Sequence, residues 1–130
     1  MNLQVRKSIQ EDIEHLQSCL DRDSSHKGQS AEQWKRSGVL VSFHGDIGPL
    51  YHICLQQTGT QRRIHFQHDP AISRRRMALA MAKGIKWLKV ESKKEGVTEL
   101  VFNSTAEPLI NFFANFGFVA VGNEDYKADL

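Results

Sequence analysis

Two cysteines, Cys19 and Cys54, are all that this 130-residue chain contains. They stand apart, with neither Cys-x-x-Cys spacing nor the dense pattern of a disulfide-held fold, which points to a reducing cytosol. No apolar run approaches the about 20 residues that a membrane-spanning helix needs, and no apolar signal segment opens the sequence. A soluble, cytoplasmic protein is the expectation. Low-complexity tracts, internal repeats and linker-like stretches are missing too. One domain over residues 1–130 is therefore expected, a length that holds a real core but not two ordinary ones. A large excess of either charge is also absent, since 17 Lys and Arg face 15 Asp and Glu. With apolar and charged fractions near globular averages, the chain should fold rather than stay disordered.

What is present is uneven. Between Arg62 and Lys94 stand ten of the 17 Lys and Arg residues against two acids, Asp69 and Glu91, leaving seven basic residues for the rest of the chain. One region is strongly cationic.

Leu3 to Lys7 alternates apolar and polar residues, as a half-buried strand does, and Ser8-Ile9-Gln10-Glu11 reads as a capping box for a helix with Ile13, Leu16 and Leu20 on one face. Asp21 to Gln29 is polar and reads as a loop; Ser30-Ala31-Glu32-Gln33 offers a second capping box, opening a short helix that carries Trp34. Val39–Phe43, Leu50–Leu55 and Arg63–His68 are rich in branched and aromatic residues and are separated by turn-forming clusters, which predicts a three-stranded meander. After Pro70 the period changes. Met77, Met81, Ile85 and Leu88 share one helical face and Lys83, Lys86, Lys89 and Lys93 another, with an end near Gly96. Leu100–Phe102 reads as a strand, and Leu109, Phe112, Phe113 and Phe116 keep helical spacing up to Gly117. Phe118–Val121 and Tyr126–Leu130 would close the chain as strands. The order is β-α-α-β-β-β-α-β-α-β-β, an α/β (α+β) fold with a mixed sheet of six to seven strands and about four helices.

This order, with Asp69-Pro70 closing a strand and Phe112-Phe113-x-x-Phe116-Gly117-Phe118 further on, resembles the GNAT superfamily of N-acetyltransferases over nearly the whole chain. The C-terminal half is also similar to small GNAT-like proteins encoded by bacteriophages. The resemblance implies a single acyltransferase domain that takes acetyl-CoA, or another acyl-CoA, as cosubstrate and transfers the acyl group to an amine on a small molecule or a protein. In that family a diphosphate sits on a helix N-terminus, where N–H groups lack intrahelical partners and the dipole is positive. The family pattern Gln/Arg-x-x-Gly-x-Gly/Ala places Ser73 first, Arg76 at the glycine and Ala78 last; a second register starts at Arg75 and needs a longer loop after Pro70. Arg74, Arg75, Arg76, Met77 and Ala78 would meet the phosphates, the arginines through charge-assisted hydrogen bonds. Phe66, Gln67 and His68 would offer main-chain contacts to the pantetheine arm. The first two helices and the Asp21 to Gln29 loop would line the acceptor groove, with Asp21 and Asp23 suited to a cationic amine.

Acyl transfer to an amine needs a base, an oxyanion donor and a proton for the thiolate. His68 is the expected base, because imidazole titrates near neutrality; the bland reading is a strand-end histidine bonded to backbone or water. Asp69 reads as a turn former. Phe113 stands where family members often carry a tyrosine acid, so Tyr126, with Tyr51 or solvent as the alternative, is the expected donor. Both tyrosines also read as ordinary strand residues. His52 and Cys54 on one strand face, with His65 beside them, are a possible ligand set, but no metal-site spacing supports it and no metal is expected. The lysine stripe reads as a wet helix face, and without a nucleic-acid motif no nucleic-acid partner is expected. Trp34 and Trp87 read as packing residues. The competing functional reading is a GNAT fold without catalysis, a binding or structural protein, for which the absent glycine and tyrosine speak.

Overall fold

The computed structural model describes residues 2–130. Its elements, in chain order, are β1 (Gln4–Lys7), α1 (Gln10–Arg22), α2 (Ala31–Ser37), β2 (Val39–His44), β3 (Pro49–Thr58), β4 (Gln61–His68), α3 (Arg74–Lys94), β5 (Glu99–Asn103), α4 (Glu107–Ala114), β6 (Val119–Gly122) and β7 (Asp125–Asp129). The strands form a mixed seven-stranded sheet in the order β1-β2-β3-β4-β5-β7-β6. Element order and strand count agree with the expectation from sequence.

Contacts divide the chain into two compact units. The first comprises the residues up to Leu55 with Phe66–Gly84. In it β1 and β3 flank β2 antiparallel, with Val5 opposite Phe43 and Phe43 opposite Tyr51. One core gathers Ile13, Leu16 and Leu20 of α1, Ala31 of α2, Leu40 and Cys54, with Trp34 packed against it. Phe43 and Tyr51 stack with centroids 4.4 Å apart. The Tyr51 hydroxyl donates to the Ala80 carbonyl of α3 at 2.9 Å. It fills the space where a side chain at Gly84 would stand, since a Cβ there would lie 1.7 Å from the hydroxyl oxygen.

The helix starts are decided by different groups. Ser30 caps α2 as the sequence predicts, accepting the Gln33 N–H. At α1 the expected cap is displaced by one residue: Ile9 is the N-cap, and Asp12 in the helix accepts its N–H at 3.0 Å. Ser8 instead turns its hydroxyl to Ser42, 2.6 Å away. The buried Asp12 is worth this shift because it also holds Arg6 and His44. Burial raises its pKa, and the hydrogen bonds from Arg6 and Ile9 with the charge of His44 outweigh that and keep it below the ordinary value.

The second unit comprises Gln56–His65 and Ile85–Leu130. Here β4 runs parallel to β5 over Gln61–Arg63 against Glu99–Val101, and β7 lies antiparallel between β5 and β6. Phe102, Phe113, Phe118 and Tyr126 pack around one another, with centroids from Phe102 to the other three of 4.5 to 5.3 Å. Gly117 takes a φ of 87°, which ends the turn after α4. The lysine stripe is not uniformly wet: Lys89 donates to the Phe116 carbonyl and lies over the Phe118 ring. Asn123 and Glu124 both have positive φ and form the two-residue turn joining β6 to β7.

Candidate active site

β4 alternates across the sheet, so Gln67 points to one face and Phe66 and His68 to the other. Gln67 is fully buried and fastens the α1–α2 loop to the strand end. Its Oε1 accepts from His26 Nδ1 at 2.5 Å, and its Nε2 donates to Asp23 at 3.1 Å and to the His68 carbonyl at 2.7 Å. Asp23 also accepts the Ser25 N–H and hydroxyl. Burial would raise its pKa, and the hydrogen bonds from Ser25 and Gln67 bring it below the ordinary value. On the other face, Phe66 stacks beside His68 with centroids 6.1 Å apart. Among the described residues, His68 is the histidine whose ring nitrogens carry no hydrogen bond.

Asp69 shapes the turn after β4, with Oδ1 accepting the Ala71 N–H at 2.9 Å. α3 then starts at Arg74, directly after Ser73, whose hydroxyl accepts the Arg76 N–H and whose carbonyl accepts the Met77 N–H. The connection leaves no room for the longer loop that the second register of the phosphate pattern requires. Met77 is buried and its side chain belongs to the core. Arg74 and Arg75 are exposed and Arg76 is half-buried. No acid stands in this first turn, and among the described residues none of the three has an ion-pair partner. The N–H groups of Arg74 and Arg75 have no intrahelical acceptor.

A polar chain that the sequence reading missed runs beneath this end of β4. Ser8 Oγ meets Ser42 Oγ at 2.6 Å; Ser42 Oγ meets His52 Nδ1 at 2.7 Å; His52 Nε2 meets His15 Nδ1 at 2.7 Å; His15 Nε2 meets Asp69 Oδ2 at 2.9 Å. Arg22 closes it, 3.1 Å from Asp69 Oδ1. Ser42 and His52 are wholly buried. A carboxylate accepts, so His15 Nε2–H donates to it; with a neutral ring His15 Nδ1 then accepts from His52 Nε2–H, and His52 Nδ1 accepts from Ser42. Burial, and after it the neighbouring His15, hold the His52 pKa down at about 3. Burial raises the Asp69 pKa, but the Ala71 N–H, His15 and Arg22 outweigh it and lower the carboxyl below its ordinary value.

Each member of the ligand set weighed from sequence has another partner. His52 is engaged as above, Cys54 donates to the Trp34 carbonyl at 3.3 Å, and His65 bonds Gln56. The two tyrosines also separate. Burial pushes the Tyr51 hydroxyl above its ordinary pKa and its proton is committed to Ala80, whereas Tyr126 is half-buried and stacked on Phe102 in the second unit. Phe113, buried between Phe102 and Phe118, is a packing residue.

The fold that these elements build is that of the GNAT acetyltransferases. The ribosomal-protein-S18-alanine N-acetyltransferase from Escherichia coli is similar with a TM-score of 0.78 and 14% identity, over 98% of this chain and 94% of that one. A PaiA N-acetyltransferase from Thermoplasma acidophilum, in complex with coenzyme A, gives 0.70 and 14% over the full length of both. A GNAT family acetyltransferase from Brucella melitensis, in complex with acetyl-CoA, gives 0.71 and 14% over 99% of this chain and 88% of that one. No protein-family model and no curated protein matches the sequence. Among the described residues no helix is long and apolar enough to cross a membrane.

Proposed function

We propose that the chain is a single-domain, acyl-CoA-dependent N-acyltransferase, an N-acetyltransferase acting on an amine. The observation that carries this reading is the start of α3: three arginines without a counter-charge at a helix N-terminus, where positive side chains are unfavourable unless an anion is bound. In this reading Arg74, Arg75 and Arg76 hold the phosphates of acetyl-CoA. Met77 and Ala78 contribute the helix frame behind them. Phe66, Gln67 and His68 follow the end of the parallel register at Arg63, so their main-chain groups serve the pantetheine arm and the acyl carbonyl. His68 is the base, because its ring nitrogens are unoccupied. Tyr126 is the acid for the departing thiolate. Asp21, which lies in the last turn of α1 rather than in the loop, and Asp23, which follows that helix, receive the cationic amine in the cytoplasm.

Saturating acetyl-CoA should raise the thermal midpoint of the purified chain, since a ligand selective for the folded state stabilises it. Arg75→Ala and Arg76→Ala should each shrink that rise. Release of free thiol with polyamines, amino acids, aminoglycosides and protein lysines as acceptors then reads turnover, and His68→Ala should lower it at unchanged acetyl-CoA binding. No shift and no calorimetric heat with acetyl-CoA would remove the basis of the proposal. Binding without turnover would favour a non-catalytic protein of this fold, including a phage-type structural or host-directed one. That second reading is supported by Phe113, which packs where a proton donor is expected.

A further inference from the structure

The residues His15, Cys19 and Asp69 bring one nitrogen, one sulfur and one oxygen within 4.8 Å of one another. His15 and Cys19 are four residues apart on α1 and so lie on one face of the helix, while Asp69 arrives from the turn after β4. We propose that these three residues bind a single zinc ion in place of the proton that joins His15 to Asp69. The idea does not depend on acyl transfer, and its test reads metal alone.

The three atoms are close enough for zinc to gather them by side-chain rotation. Bonds of about 2.0 Å to nitrogen and oxygen and about 2.3 Å to sulfur in a tetrahedron set edges of about 3.3 Å between N and O and about 3.5 Å between N and S. His15 Nε2 lies 2.9 Å from Asp69 Oδ2, and Cys19 Sγ lies 3.6 Å from Nε2 and 3.7 Å from Nδ1, so Cys19 must turn about its Cα–Cβ bond to bring the sulfur to the Nε2 side. A few tenths of an ångström opens the N to O edge to the required length. The outer contacts are already arranged. Asp69 spends Oδ1 on Arg22 and the Ala71 N–H, leaving Oδ2 turned to His15. Arg22 also approaches Cys19 Sγ at 3.7 Å, the geometry of an N–H donor to a thiolate.

The histidine and serine chain supplies the remaining requirement. A zinc-bound imidazole donates its other N–H to an acceptor, which fixes the tautomer. With zinc on Nε2, His15 Nδ1–H donates to His52 Nε2, His52 Nδ1–H to Ser42 Oγ, and the Ser42 hydroxyl to Ser8 Oγ. Each of these pairs already stands at 2.6 to 2.7 Å. The His15 Nε2 proton and the Cys19 thiol proton leave, one proton enters at the Ser8 end, and one is released net. Burial followed by the nearby Asp69 charge pushes the Cys19 thiol up to about 12 without a metal. A divalent cation reverses that balance and ligates the thiolate. Zinc charge is then matched by one thiolate and one carboxylate, and Arg22, with 42% of its side chain exposed, keeps its outer position. The fourth position is left to solvent.

The decisive experiment titrates Co²⁺ and then Zn²⁺ into the full chain after chelator treatment. The expected result is a thiolate-to-cobalt charge-transfer band with intense visible bands of a four-coordinate ion, saturating at one ion per chain and bleached by zinc. Cys19→Ser should lose the charge-transfer band, and His52→Gln should keep it with affinity about 10–100-fold weaker. Imidazole ¹⁵N spectra of the unaltered chain, which need no variant, should show the His15 tautomer reversing as zinc is added. Absence of saturable binding, a six-coordinate spectrum, bands that survive Cys19→Ser in a folded protein, or an unchanged His15 tautomer would overturn the proposal.

Discussion

His52 is a neutral imidazole sealed between two elements, and its titration leaves a mark on stability. Its folded pKa is lowered from 6.5 to about 3. The unfolded chain therefore takes up a proton below about pH 6.5 that the native state refuses until about pH 3, and stability falls as pH falls through that window. Denaturant unfolding at pH 7.5 and pH 5 should show the loss, on the order of 1–2 kcal/mol at pH 5, and His52→Gln should flatten the slope. At this scale the sequence was only partly readable. His68 and the three arginines stood out because each could be judged within its own segment. His15 did not, because its partners His52 and Asp69 are 37 and 54 residues away. Only the register of β2 on β3 and the turn after β4 bring them to α1. The i, i+4 spacing of His15 and Cys19 was the available signal, and it is equally the spacing of two residues beside a helix's apolar stripe.

At the scale of elements, α3 is positioned by a close approach. A side chain at Gly84 would meet the Tyr51 hydroxyl, so Gly84→Ala must displace the tyrosine and break its bond to Ala80. The expected cost is about 2–4 kcal/mol, read as a lower urea midpoint. Adding Tyr51→Phe, which removes the clashing atom, should recover part of it, and the double-mutant cycle measures how much. Most elements were legible from sequence because period decides them. Met77, Met81, Ile85 and Leu88 mark the buried face of α3 and are indeed buried. The start of α1 was misplaced by one residue because Ser8 and Asp12 compete for the cap. The competition is settled by Arg6 and His44 on neighbouring strands, which no local window contains.

For the whole molecule, the cationic excess is concentrated rather than spread. The other arginines of the charged stretch are spent internally: Arg62 on Ser92, Gln57 and Glu95, and Arg63 on Asp125. Of the arginines in that stretch this leaves Arg74, Arg75 and Arg76 at the start of α3 without an ion pair among the described residues, so the affinity for acetyl-CoA should fall as salt rises, through screening of exposed charges. In the triple variant Arg74→Ala, Arg75→Ala, Arg76→Ala it should be weaker and nearly independent of salt, which calorimetry at two ionic strengths will show. The sequence disclosed the excess as a count; which arginines remain available required the partners of each.

Both cysteines are among the most deeply buried residues, with exposures of 0% for Cys19 and 1% for Cys54. The native protein therefore presents a chemically silent background to thiol reagents. A cysteine placed at Ile47, which is 88% exposed in the turn between β2 and β3, would be the single rapidly reactive thiol of the folded chain. A fluorophore or spin label attached there leaves α1, β4 and the start of α3 unaltered. The burial that keeps the two natural thiols quiet thus makes the molecule its own labelling scaffold.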